Sequence, residues 1–141
     1  MLWQILIALG ALLLAGSIHF LILGKSNRYL TKRKLLDLSG FLLMLMAATI
    51  GQIIAAGIFA AAFWVSSEAG LGGFQMTEQS GWMEIYYFSL VNLTTLGLGD
   101  IIPLGHLKFL TAIEAMTGFL LISCSASHIF LMMQKREKAY E

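Results

Sequence analysis

Two stretches of this chain, Leu2 to Leu23 and Ser39 to Val65, contain no charged side chain. A third, Leu104 to Met133, contains only Lys108 and Glu114. A helix crosses a bilayer with about 20 apolar residues at roughly 1.5 Å of rise each. All three stretches are long enough, and the third exceeds the need, so it tilts or projects beyond the hydrocarbon. Backbone in lipid must satisfy its own hydrogen bonds, so apolar runs of this kind fold as helices. Of the 141 residues 58% are hydrophobic and 12% charged, against about 25% charged in an average soluble domain. The single cysteine, Cys124, lies inside an apolar stretch, which leaves no disulfide framework and no cysteine-based metal motif. The first stretch lacks the positively charged start of a secretory signal, and its apolar run is longer than such signals carry. It is therefore expected to remain as a span.

The charges are sorted by side. Lys25, Arg28, Lys32, Arg33 and Lys34 lie between the first and second spans, and Lys135, Arg136 and Lys138 follow the third. The positive-inside bias places both groups in the cytoplasm. The amino terminus is then outside, the carboxyl terminus inside, and Ser66 to Pro103 outside. That outer connection carries Glu68, Glu78, Glu84 and Asp100 and no lysine or arginine. The inner link also holds Tyr29, Leu30, Leu35, Leu36 and Leu38. This mixture suits a short helix on the inner leaflet, its five cations meeting anionic lipid headgroups. The same cations serve equally as a plain topology signal.

The outer connection has two parts. Ser66 to Gly81, with Gly70, Gly72, Gly73 and Gly81, reads as an irregular loop. Trp82 to Thr94 is too short to cross and runs into Thr94-Thr95-Leu96-Gly97-Leu98-Gly99-Asp100. It reads as a re-entrant half-helix of about three turns whose C-terminal end points into the membrane. That end carries a partial negative charge and favours a nearby cation. Gly97 and Gly99 adopt positive φ cheaply, and alternating them with Leu96 and Leu98 lets successive carbonyls face one way. Thr95 adds a hydroxyl. Non-helical backbone at membrane depth survives only where it is buried in protein or lines a water-filled path. No H-E-x-x-H, nucleophile elbow or phosphate loop is present, so no enzyme is expected, and no nucleic-acid partner.

The stretch Thr94 to Asp100 resembles the selectivity filter of potassium channels. The wider run, from Tyr86-Tyr87-Phe88-Ser89-Leu90-Val91-Asn92-Leu93 through the filter to Pro103, looks like a pore helix, filter and exit. The nearest class is the small prokaryotic pore-loop channels, here with an extra amino-terminal helix. The resemblance implies an all-α membrane protein with three transmembrane helices, a re-entrant pore helix and selectivity filter, and a homotetrameric pore. It divides the chain into an N-terminal transmembrane helix (1–24), a basic cytoplasmic linker (25–38), a pore domain (39–133) and a short tail (134–141). Within the pore domain the outer helix is 39–65, the outer loop 66–81, the pore helix 82–94, the filter 95–100 and the inner helix 104–133. The implied function is conduction of dehydrated K+ past Thr95, Leu96, Gly97, Leu98 and Gly99, with K+ held at Thr95, Leu96, Gly97 and Leu98. No cofactor is expected, K+ being the permeant ligand. The implied location is the prokaryotic cell membrane. A weakly selective monovalent cation channel and a non-conducting assembly subunit are the alternatives.

Departures from the family pattern fall beside the filter. Leu98 stands where a tyrosine is usual, and Phe88 where the pore helix usually has tryptophan. Together they would form an apolar cuff, with Thr94 at the helix end and Asn92 as the remaining polar clamp. Val91 replaces the glutamate that some bacterial members place behind the filter, so Asp100 is expected to hydrogen-bond Tyr87. Glu114 is an intramembrane acid, and such residues are functional candidates by default. It is expected behind the filter, holding backbone amides there or tuning the site. Gly118 is near the family's hinge glycine or is simply a packing glycine. His128, near the cytoplasmic end of the third span, is a candidate proton sensor at the inner mouth. His19 and His106 read as packing or interface residues. A cysteine replacing Ser67 should react with an impermeant thiol reagent added outside; reaction only from the cytoplasm would reverse the topology.

Overall fold

The computed structural model describes residues 1–33, 38–75 and 81–137, with side chains through residue 134. Among the described residues four helices carry the fold: α1 (Leu2–Arg33), α2 (Leu38–Glu68), α3 (Trp82–Leu93) and α4 (Leu107–Glu137). Two short strands, β1 (Phe74–Gln75) and β2 (Ile102–Pro103), pair antiparallel, Phe74 opposite Pro103 and Gln75 opposite Ile102. Three of the helices, α1, α2 and α4, are long and apolar enough to cross a membrane. The twelve-residue α3 is not, and it packs against α2 and α4 near one end of the three.

Small residues let the spans approach closely. Ala8, Ala11 and Ala15 of α1 and Ala55, Ala56 and Ala60 of α2 are all buried in one cluster, which continues through Phe59 and Phe63 into Phe88 of α3 and Leu110 of α4. Toward the other end a second cluster joins Leu23 and Leu30 of α1, Met44 and Ala48 of α2, and Met132 of α4.

Between the clusters lies His19. Its Nε2 is 2.8 Å from Ser125 Oγ, and the single Ser125 proton already goes to the Leu121 carbonyl at 2.9 Å. Ser125 therefore accepts, and Nε2 carries the imidazole proton. The ring rests on Gly51, where an added Cβ would come within 2.5 Å of Nδ1. His19 thus ties α1, α2 and α4 together, and the packing expectation for this residue was too modest.

Two boundaries differ from the sequence expectation. The link expected to begin at Lys25 is helical through Arg33, so Lys25, Arg28, Lys32 and Arg33 ride on α1. Leu23 and Leu30 bury one face of this extension, and that packing carries the helix past the membrane-spanning length. Lys25, Arg28 and Lys32, at helical spacing on another face, are exposed. Arg33 lies 5.8 Å above the Tyr29 ring. Lys34 lies outside the described residues. The outer connection is also more regular than expected: α2 continues to Glu68, and the β1–β2 ribbon ties it to the segment before α4. Leu104 N–H donates to Gly73 O at 2.8 Å and His106 N–H to Leu71 O at 2.9 Å.

Gly51→Ala should push the imidazole off Ser125 and cost about 1–3 kcal/mol. The expected readout is a lower unfolding temperature in detergent, and an unchanged one would mean that the histidine seat is not specific.

Candidate functional site

The site is built on α3, a short helix held from two sides. Its first turn carries Glu84, which complements the positive N-terminal end. Against α2, Tyr86 donates to the Ile53 carbonyl at 3.2 Å and Ser89 to the Ala56 carbonyl at 2.7 Å. Phe88 packs edge-to-face on Phe63 and Phe74, with ring centroids 5.3 and 5.2 Å away. Such geometry is favourable by about 0.5–1.5 kcal/mol per pair beyond area burial.

Against α4, α3 sits on one stripe made by Thr111, Glu114 and Gly118. Asn92 donates to the Thr111 carbonyl at 3.0 Å and to Glu114 Oε2 at 2.6 Å. Ser89 Oγ is hydrogen-bonded to Glu114 Oε1. Glu114 is fully buried. Gly118 faces the last turn of α3, where a Cβ would lie only 1.7 Å from the Leu93 carbonyl oxygen. One expectation changes here. Glu114 holds side chains of α3, not backbone amides. Asn92, expected as a polar clamp, joins α3 to α4.

The end of α3 sets the direction of that loop. Thr95 N–H donates to Asn92 O at 2.9 Å and Leu96 N–H to Val91 O at 3.2 Å. These two bonds are the Schellman pattern, in which the first residue past the cap is left-handed and usually glycine. Here it is Thr95, at φ 61°. For an L residue this conformation costs roughly 1–2 kcal/mol. Thr94 Oγ1 also donates to Val91 O at 2.8 Å. Beyond Thr95, Gly97 (φ 53°) and Gly99 (φ 80°) are left-handed too, while Leu96 and Leu98 keep negative φ. A sign change at every second residue would let successive carbonyls face one side. Strain of this kind concentrates at functional sites.

Residues 94–100 are all exposed in the single chain. Tyr87 and Asp100 are neighbours: the Asp100 carboxylate interacts electrostatically with the Tyr87 phenol. Leu98 and Phe88 both line a recess of about 120 Å³, shared with Val91, Asn92, Asp100 and Ile101. Phe88 is buried in its aromatic trio, whereas Leu98 is 58% exposed. Within one chain the expected cuff is therefore open. His128 is half-buried, with its Nδ1 3.0 Å from the Cys124 carbonyl.

Sequence reasoning passed over Ser89 and Thr111. The signal was present: Ser89 and Asn92 are three residues apart on α3, and Thr111 and Glu114 three apart on α4, which places each pair on one helix face.

Gly118→Ala should force the Leu93 carbonyl, and with it the start of the loop, to move. A loss of at least about 1–3 kcal/mol is expected, read as lower thermal stability; wild-type stability would contradict the close seat.

Residues 51–135, more than half of the chain, match the family described as "Ion channel". No curated protein and no solved structure matches the chain. The match spans most of α2, all of α3, the strained loop and nearly all of α4, and leaves α1 outside it. With three helices able to span a bilayer and a short helix packed between two of them, the chain is an integral membrane protein and belongs to this ion channel family.

Proposed function

We propose that the chain is a potassium-selective channel whose filter is the strained loop after α3. The observation that carries this reading is the left-handed backbone at Thr95, Gly97 and Gly99, launched from the C-terminal end of a helix buried by its neighbours. Carbonyls gathered on one side replace a cation's hydration shell only when several strands surround it. One chain supplies one strand, so four copies would close the ring. K+ would be held at Thr95, Leu96, Gly97 and Leu98. The exposed face of α4 that carries Ala112, Met116, Phe119 and Ser123 would line the inner cavity or meet neighbouring copies. His128 lies away from that stripe, beside His19, which weakens its case as a sensor at the inner mouth.

Orientation follows from charge: the basic end of α1 inside, α3 and the ribbon outside. Lys25, Arg28, Lys32 and Arg33 on the exposed face of the α1 extension would meet anionic headgroups of the inner leaflet.

Weak selectivity is the second reading, and one observation favours it. Leu98 has no hydroxyl to brace the loop, and Phe88 spends its packing on Phe63 and Phe74. Purified protein in liposomes, with and without anionic lipid, decides between them. K+ flux that greatly exceeds Na+ flux and rises with anionic lipid is expected. Equal K+ and Na+ flux would select the weakly selective channel, and no flux from an intact assembly would select the non-conducting subunit.

A further inference from the structure

Ser89 stands between two oxygens that both need a proton from it. Its Oγ lies 2.7 Å from the Ala56 carbonyl and is also hydrogen-bonded to Glu114 Oε1. A serine hydroxyl has one proton and two acceptor lone pairs, and a backbone carbonyl has no proton to give. Two oxygen–oxygen contacts need two protons, so the second has to come from Glu114. Were Glu114 a carboxylate, Ser89 would donate to it and leave Oγ facing the Ala56 oxygen with no proton between them.

The other side of the carboxyl is consistent. Asn92 uses both amide protons, one to the Thr111 carbonyl and one to Glu114 Oε2. Oε2 is therefore the carbonyl-like acceptor and Oε1 the hydroxyl. Among the described residues, no cationic group touches the carboxyl. The groups that meet the carboxyl are Ser89 and Asn92 from α3, and Ser89 leads on only to the Ala56 backbone of α2. Lys108, the nearest basic residue along α4, is exposed. An ionised carboxylate fully removed from water without a cationic partner is far costlier than a neutral acid that makes the same hydrogen bonds.

We infer that Glu114 is a positioning residue that works as a neutral acid, donating its own proton to Ser89. Ser89 in turn donates to Ala56, so one directed chain of hydrogen bonds runs from α4 through α3 to α2. The chain fixes α3 between the two spans and keeps negative charge away from the back of the loop. The inference rests on the hydrogen-bond geometry and holds whichever ion the protein conducts.

The test is infrared spectroscopy of the whole protein in lipid at neutral pH. A protonated-carboxyl C=O band should appear and should shift on labelling with 13C-glutamate, which distinguishes it from Asp37 and Asp100. It should vanish in Glu114→Gln and move in Ser89→Ala, where the acceptor is lost. Glutamine presents an N–H donor and a C=O acceptor in the same places, so Glu114→Gln should keep flux and thermal stability while Glu114→Ala loses both. Absence of a glutamate-dependent band in the wild-type protein would overturn the inference without any variant having to fold. So would a band that survives in Glu114→Gln. A band in a protein that passes no ions would leave the neutral acid standing and remove the channel reading instead.

Discussion

Everything at the site depends on how a twelve-residue helix is kept in place inside a membrane protein. Such a helix is too short to be stable alone, and its C-terminal carbonyls cannot be left to lipid. Its two flanks solve the first problem in different ways. Toward α2 the contacts are an aromatic trio and two hydroxyls on backbone carbonyls. Toward α4 they are a buried acid with two polar partners and a glycine that admits a backbone oxygen. The two sides meet at Ser89, which touches both. The Schellman bonds solve the second problem by giving the last carbonyls donors from Thr95 and Leu96.

That same ending loads the loop. Glycine would sit at the Thr95 position without strain, whereas threonine costs energy there and contributes a hydroxyl in exchange. The cost is tolerable because both ends of the loop are tied: α3 is anchored before it, and after it the β1–β2 ribbon fixes the exit. Pro103, without an N–H, is admissible in that ribbon because it lies at an edge.

The helical membrane architecture was legible because spans and their charges follow single-residue chemistry: apolar runs, clustered basic residues, and a piece too short to cross before alternating glycines. The left-handed demand at Gly97 and Gly99 was legible for the same reason. What stayed hidden depends on which faces meet. Glu114 stood out as an anomaly, but its partners were not local in sequence, and Ser89 looked like any hydroxyl in a helix. Asn92 read as a polar clamp without a stated partner, and helical geometry turns it toward α4. His19 looked ordinary until Gly51 and Ser125 were placed around it. The extension of α1 to Arg33 was masked by its charges, because the apolar residues that hold it, Leu23 and Leu30, are seven apart and easily read as isolated.

Gly118 has a consequence of a mechanical kind. A glycine within a long helix is commonly regarded as a place where the rod can flex. Here the space its missing side chain leaves is occupied by the Leu93 carbonyl, the last helical residue before the strained loop. Four residues away, Glu114 grips the same short helix. The rod cannot flex at that point and leave its passenger where it was. Curvature of α4 at Gly118 and displacement of the loop's starting point are one coordinate, so the long helix and the loop behave as a linked lever and not as two independent parts.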